Sequence, residues 1–294
     1  MNLTSYINKS NIEFNKFARQ FLITNKYSSL LWRAMNYGVM NGGKRIRPLL
    51  IIELSKHLNI PKSNFMRVAL ATEFVHAYSL IMDDLPVMDN DSLRRGKPTT
   101  HKKFDEATAI LAGNSLLTLA FQILSDSKTH KNPKVRSDLI SRLTVLSGHE
   151  GLAGGQSLDL LFEKKNVSLK EIIAMHELKT AKLFEFCTVA PIIMSSKNNK
   201  KSLNEAIKFG KNFGLIFQAI DDLLDTYGVK KIMGKNVSKD SKRNKGTILK
   251  YKTKDEVKTY CSDLAEKATN RSNLFKDDDF ILNKLIFHVI DRVS

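Results

Sequence analysis

Cysteine is nearly absent: Cys187 and Cys261 are the only two in 294 residues. Two thiols so far apart make neither a disulfide framework nor a zinc site, so a reducing compartment is expected. Proline is scarce as well, at six positions, and the glycines cluster in a few short stretches. That composition excludes a strand-rich, turn-rich fold and favours long helices. No stretch alternates apolar and polar residues with period two for long. No uninterrupted apolar run reaches the roughly 18–20 residues of a membrane span, so stable membrane insertion is not expected. The opening residues, MNLTSYINKSNIEFNKF, lack the apolar core of a secretory signal and, with Glu13 and few arginines, make a poor transit peptide. The expected location is the cytoplasm. Neither a solenoid-type repeat nor a low-complexity linker divides the chain, so one domain over 1–294 is expected. No Ser or Cys stands out as a nucleophile.

Acidic residues are the other shortage. Thirty Asp and Glu against 47 Lys and Arg leave a formal charge of +17. Such a balance suits nucleic acid, an anionic membrane or a phosphate-rich substrate. Much of the excess lies in polar loops such as SSKNNKKS at 195–202, which read as solvated surface.

Apolar residues recur at helical spacing along most of the chain. Residues 3–23 read as a first helix or helix pair, 29–40 as a second, and 48–58 as a third with Pro48 in its first turn. Phe65 to Asp84 holds the period for about five turns, with Ser63 as N-cap and Pro86 ending it. Ala107 to Leu124, 135–162 and Leu203 to Tyr227 are further helices. A capping box, Ser168 with Glu171, starts another that carries His176, Lys179 and Thr180. Residues 228–247 are a basic loop, and 248–292 two or three helices. The fold class is therefore all-α, a single large helix bundle.

Within those helices two acidic clusters demand explanation. Asp83 and Asp84 end an apolar helix, where the helix dipole disfavours anions, and Asp89 and Asp91 follow. Asp221, Asp222 and Asp225 share a helix face flanked by FGLIFQAI. Like charges so placed repel unless a cation joins them. Mg²⁺ takes oxygen ligands, keeps waters and joins carboxylates to substrate phosphates. Two sets of three aspartates bring about −6 and a diphosphate about −3; three divalent cations would bring about +6, leaving Lys and Arg to neutralise the remainder. Arg94, Lys179, Lys235 and Lys245 are candidates. GGKRIRP at 42–48, with Lys44, Arg45 and Arg47 before a helix start, forms a second anion cradle.

In their order these segments resemble the trans-isoprenyl diphosphate synthases, and among them the bacterial farnesyl diphosphate synthase type. GGKRIRP at 42–48, DDLPVMD at 83–89, LRRGKPT at 93–99, GQSLDL at 155–160, KT at 179–180 and FQAIDDLLD at 217–225 carry the resemblance over nearly the whole chain. It implies an orthogonal and antiparallel helix bundle with a central cavity. Asp83 and Asp89, with Asp84 nearby, would hold Mg²⁺ on the allylic diphosphate. Asp221, supported by Asp222 and Asp225, would hold another, three ions in all. Arg94, Lys179, Gln218, Lys235 and Lys245 would contact that diphosphate, and Lys44, Arg47, His76 and Arg95 the homoallylic one. Thr180 and Gln218 would turn oxygen dipoles toward an allylic cation. The implied reaction is ionisation, condensation with isopentenyl diphosphate and proton loss. Tyr78, five positions before Asp83, would floor the elongation pocket for a fifteen-carbon product, although a helical wheel puts the small Ser79 nearer the Asp83 face. A homodimer is implied.

Two departures stand out: Met82 where many relatives have His, and NKGT at 244–247 where Gly-Lys-Ser/Thr is the commoner order. A geranylgeranyl diphosphate synthase is the alternative within the class. A basic helical protein binding nucleic acid or membrane is a distant one, which leaves both aspartate clusters unexplained; nucleic acid is not an expected partner.

Overall fold

The computed structural model describes residues 2–24, 30–163, 165–227, 246–269, 274–275 and 280–293. The chain divides into two compact units, one of 1–56 with 60–140, the other of 57–59 with 141–294.

In the first unit, α1 (Leu3–Thr24), α2 (Leu30–Met40), α3 (Ile46–His57) and α4 (Lys62–Asp83) lead to a two-residue hairpin, β1 (Leu93–Arg94) and β2 (Lys97–Pro98), then α5 (Thr100–Lys103), α6 (Glu106–Ser125) and α7 (Pro133–Ser147), which runs on into the second. The apolar residues of α4 go right round the helix, and nearly all are buried, from Phe65 through Phe74 to Ile81. A helix apolar on all sides belongs at the centre of its unit. Against it lies α6, burying Ala109, Ala112, Gly113, Leu116, Ala120, Ile123 and Leu124, a spacing of threes and fours. This helix is long and apolar enough to cross a membrane by composition, yet its period is that of a core helix with one face packed. Gly113 sits at the contact: a Cβ there would stand 3.2 Å from Met82 Sδ and 3.4 Å from Tyr78 Cδ2.

The second unit contains α8 (Leu152–Phe162), α9 (Leu169–His176), a π-helical turn (Glu177–Ala181), α10 (Lys182–Met194), α11 (Lys200–Tyr227), a 3₁₀ turn (Ile248–Lys250), α12 (Lys254–Thr269), α13 (Ile281–Ile290) and a last 3₁₀ turn (Asp291–Val293). Here α10 is the helix buried all round, Leu183 to Met194, and α11 packs along it.

The all-α class is observed. Several local readings need correction. Residues 135–162 are not one helix: α7 stops at Ser147, and Gly148 and Gly151 turn the chain before α8. The start of α4 is Lys62 after Pro61, so Ser63 lies inside the first turn, with its hydroxyl on Asn64 rather than on the backbone. At α6 the cap is Asp105, which accepts from Thr108 N at 2.7 Å. The capping box of Ser168 and Glu171 is present.

Candidate active site

The first acidic cluster is made by a chain reversal. Asp84 caps α4 through its own N–H to Leu80 O. Pro86 cannot continue the helix, and the next residues curl back: Met88 N reaches Leu85 O, Asp89 N reaches Asp83 O at 2.8 Å, and Asp91 N reaches Asp84 O at 3.1 Å. Six-position spacing thus returns Asp89 to Asp83 through main-chain bonds alone. Asp83 and Asp89 stay half-buried. Asp84 turns inward, 3% exposed, and takes Arg94 Nε at 2.8 and 3.0 Å and Nη2 at 2.7 Å. Arg94 is placed by the hairpin, whose two-residue turn has φ 55° at Arg95 and 74° at Gly96, the all-positive pattern that suits a tight hairpin.

The GGKRIRP segment lies in the same unit. Gly42 and Gly43 adopt φ 85° and 119°. A Cβ on Gly43 would fall 2.6 Å from Arg95 Nη1, and Arg95 donates to Gly42 O. Conformation favours glycine at both positions, and at Gly43 a side chain would also displace the guanidinium. Lys44 is exposed. Arg47 Nη1 stands 3.4 Å from His76 Nε2. Burial, then repulsion from Arg47 and Arg95, holds His76 well below the ordinary histidine range, so it is a neutral hydrogen-bonding group rather than another cation. Arg45, counted in the sequence as part of the cradle, points the other way. It is 5% exposed, with φ 51°; Nε donates to Asn15 Oδ1 at 3.0 Å, Nη2 to Val39 O at 2.6 Å, and Nη1 pairs with Glu73. It is the post behind the cradle, and its partner Glu73 lies one helical turn from His76 on α4.

The second unit holds its polar groups by a side-chain relay. Thr180 Oγ1 donates to Gln218 Oε1 at 2.7 Å; Gln218 Nε2 donates to Asp222 Oδ1 at 2.9 Å; Asp222 Oδ2 accepts Ile248 N at 3.1 Å. His176 Nε2 lies 3.7 Å from the same Oδ2. Asp222 is therefore 2% exposed and turned to protein donors, and Asp225 is 3% exposed. Asp221, its side chain 44% exposed, meets Arg292 Nη2 at 3.3 Å. Lys179 pairs with Asp159 at 2.6 Å. The π turn that carries Lys179 and Thr180 is pressed by α8: a Cβ on Gly155 would collide with Lys179 N. The lack of a side chain at Gly155 is what allows this close packing. π turns are uncommon and concentrate at functional positions.

Each unit thus gathers its own members of the expected set. Lys235 and Lys245 lie outside the described residues. Asp159 and Arg292 were not singled out as site residues; Asp159 stands within GQSLDL, whereas Arg292 carries no local signal. Ser79 is buried, with its hydroxyl on His76 O at 2.9 Å. Tyr78 is half-buried beside Gly113.

The donors in both clusters are carboxylate oxygens, the ligand type Mg²⁺ takes. Among the described residues no three His, Cys, Asp or Glu side chains converge to hold an ion alone.

The polyprenyl synthetase family model matches residues 28–277. The chain belongs to that family. A farnesyl diphosphate synthase from Micrococcus luteus is 38% identical over 273 residues, 92% of this chain and 93% of that one. Among solved structures, an FPP/GFPP synthase from Zymomonas mobilis superposes with TM-score 0.85 at 35% identity, covering 98% of this chain and 99% of that one. A geranyltransferase from Helicobacter pylori, complexed with magnesium and isoprenyl diphosphate, superposes with TM-score 0.83 at 29% identity, covering 100% and 98%. The isoprenyl synthase fold of this polyprenyl synthetase is shared with those enzymes.

Proposed function

We propose that this polyprenyl synthetase condenses isopentenyl diphosphate head-to-tail with dimethylallyl and then geranyl diphosphate, releasing diphosphate and forming (E,E)-farnesyl diphosphate. One observation carries the reading. The 83–91 reversal returns Asp89 to Asp83 by main-chain bonds, beside the Asp84–Arg94 pair, in a chain of this family.

The allylic diphosphate is the substrate of the carboxylates: Asp83, Asp89 and Asp221, with Asp84, Asp222 and Asp225 in support. These residues would hold magnesium, three ions by charge count, and the metal would supply Lewis-acid stabilisation of the leaving diphosphate. Arg94 and Lys179 meet the remaining negative charge. Each is aimed by a buried carboxylate, Arg94 by Asp84 and Lys179 by Asp159. Lys44, Arg47 and Arg95 anchor the isopentenyl diphosphate, and neutral His76 adds a hydrogen bond without adding to their repulsion. Thr180 and Gln218, fixed by Asp222, present oxygen dipoles to the allylic cation. The proton lost after condensation goes to the released diphosphate. The enzyme works as a cytoplasmic homodimer, with the chain a single catalytic domain.

Product length rests on Tyr78. Gly113 on α6 lets the ring lie against α6, and a larger residue there would crowd it. Truncation by Tyr78→Ala therefore lengthens the product beyond fifteen carbons on chromatography. Unchanged length would remove the floor role and favour a geranylgeranyl product set elsewhere. Inorganic diphosphate with Mg²⁺ raises the melting temperature, and each alone does so less. Stabilisation by DNA, with none by diphosphate and metal, contradicts the proposal.

A further inference from the structure

The reading above leaves most of the +17 charge unused. A groove of about 380 Å³ opens in the first unit, within the size range of small-molecule sites. Its lining shares no residue with the 83–91 reversal or the Lys44–Arg47 cradle, and it contains three cations, Arg33, Lys97 and Lys103, and no acid. All three are exposed. Among the described residues none of them pairs with a carboxylate. Lys103 Nζ stands 4.5 Å from the centre of the Tyr37 ring. The ring is fixed, its hydroxyl donating to Pro98 O at 2.6 Å and its plane steeply inclined to the Phe104 ring, centroids 5.8 Å apart. The groove therefore has a preset aromatic wall beneath converging positive charge. It has one further polar element. Asn41 is 8% exposed, and its Oδ1 receives no hydrogen bond from the described residues. A buried oxygen in that state asks for a donor.

These features select a ligand. Cations that pair with no described carboxylate, in a lining without an acid, select phosphate. The Tyr37–Phe104 wall selects a flat or apolar body. The Asn41 oxygen selects an N–H or O–H on that body, which an isoprenyl chain lacks. We propose that the groove binds a nucleoside phosphate, with Arg33, Lys97 and Lys103 on the phosphates, the base against Tyr37, and Asn41 accepting from a base N–H or a ribose hydroxyl.

The test is calorimetric titration of the full chain with ADP in EDTA, where the carboxylate clusters repel anions. One equivalent binds to the wild type. The variant Arg33→Ala/Lys97→Ala/Lys103→Ala loses at least tenfold in ADP affinity, while its melting temperature and Mg²⁺-dependent turnover match the wild type. Lys44→Ala/Arg47→Ala keeps ADP affinity within twofold. Inorganic diphosphate binds the groove at least tenfold more weakly than ADP. No ADP binding to the wild type, undiminished binding to the triple variant, loss of its turnover, or loss of ADP binding in the Lys44/Arg47 variant would each overturn the proposal. Equal affinity for inorganic diphosphate would overturn the nucleoside part. Because the titration is metal-free, its outcome is independent of whether prenyl transfer is the activity.

Discussion

The two acidic clusters reach similar chemistry by different routes. Around Asp83 the main chain does the placing: Asp89 and Asp91 are tied back to the helix end by their own N–H groups, and one side-chain pair, Asp84 with Arg94, locks the hairpin on. Around Asp221 the backbone is plain helix, and the order comes from side chains: Thr180 to Gln218 to Asp222 to Ile248 N. Main-chain bonds survive any side-chain change that leaves the turn intact. A relay fails when one member is replaced. The first cluster should therefore tolerate substitution of its supporting residues better than the second.

The largest effects are expected at Asp83 and Asp221, the acid in each cluster proposed to hold magnesium. Asp83→Ala and Asp221→Ala each lower turnover by about a thousandfold or more, since about 4 kcal/mol of transition-state stabilisation is at stake, with circular dichroism unchanged. Wild-type rates in either would separate that cluster from the reaction. Next is Arg45→Met, which leaves Glu73 charged and buried and costs about 3–5 kcal/mol of stability. Adding Glu73→Gln should recover part of that loss in a chemical denaturation series. If Arg45→Met melts as wild type, the post behind the cradle is not structural.

Acidification gives an effect of similar size. His176 is buried and its pKa is pushed down to about 4, by desolvation first, partly offset by Asp159; His76 is also depressed. Both histidines take up protons more readily unfolded than folded. Their contribution to stability is full above the unfolded value near 6.5 and falls as the pH drops toward the folded one. For His176 alone this is about 3 kcal/mol by pH 4. A denaturation midpoint flat between pH 7 and 4.5 would show that neither ring is held neutral.

The smallest change separates the clusters. Asp222→Asn turns one relay acceptor into a donor facing Ile248 N or Gln218 Nε2, at a cost of about 1–3 kcal/mol. It should lower turnover more than Asp91→Asn, whose place in the turn depends on its main-chain N–H. Equal losses would erase the distinction between the two clusters.

Most of the helical fold was legible because burial imposes its period on the residues, as in α4 and α11. What escaped depends on partners distant in sequence. The break at 148–151 contains no proline, and apolar spacing carries across it. The hairpin at 93–98 is too short to alternate, and its only local mark is Gly96 after Arg95. The π turn at 177–181 arises where α8 presses Gly155 against Lys179 N, a contact between residues 24 apart. In the site, the aspartates announced themselves as charges inside apolar helices. Arg45 did not reveal that it faces inward, because its three partners, Asn15, Val39 O and Glu73, come from α1, α2 and α4. The same distance hid the pairing of Lys179 with Asp159 and of Asp221 with Arg292.

The central claim is that carboxylates and cations arranged in this way drive prenyl transfer through a bound diphosphate. Incubation of the purified chain with Mg²⁺, dimethylallyl diphosphate and isopentenyl diphosphate, followed by product sizing, tests it most directly. Farnesyl diphosphate and free diphosphate, both abolished by EDTA, are the expected result. No condensation product with metal and both substrates present would contradict it.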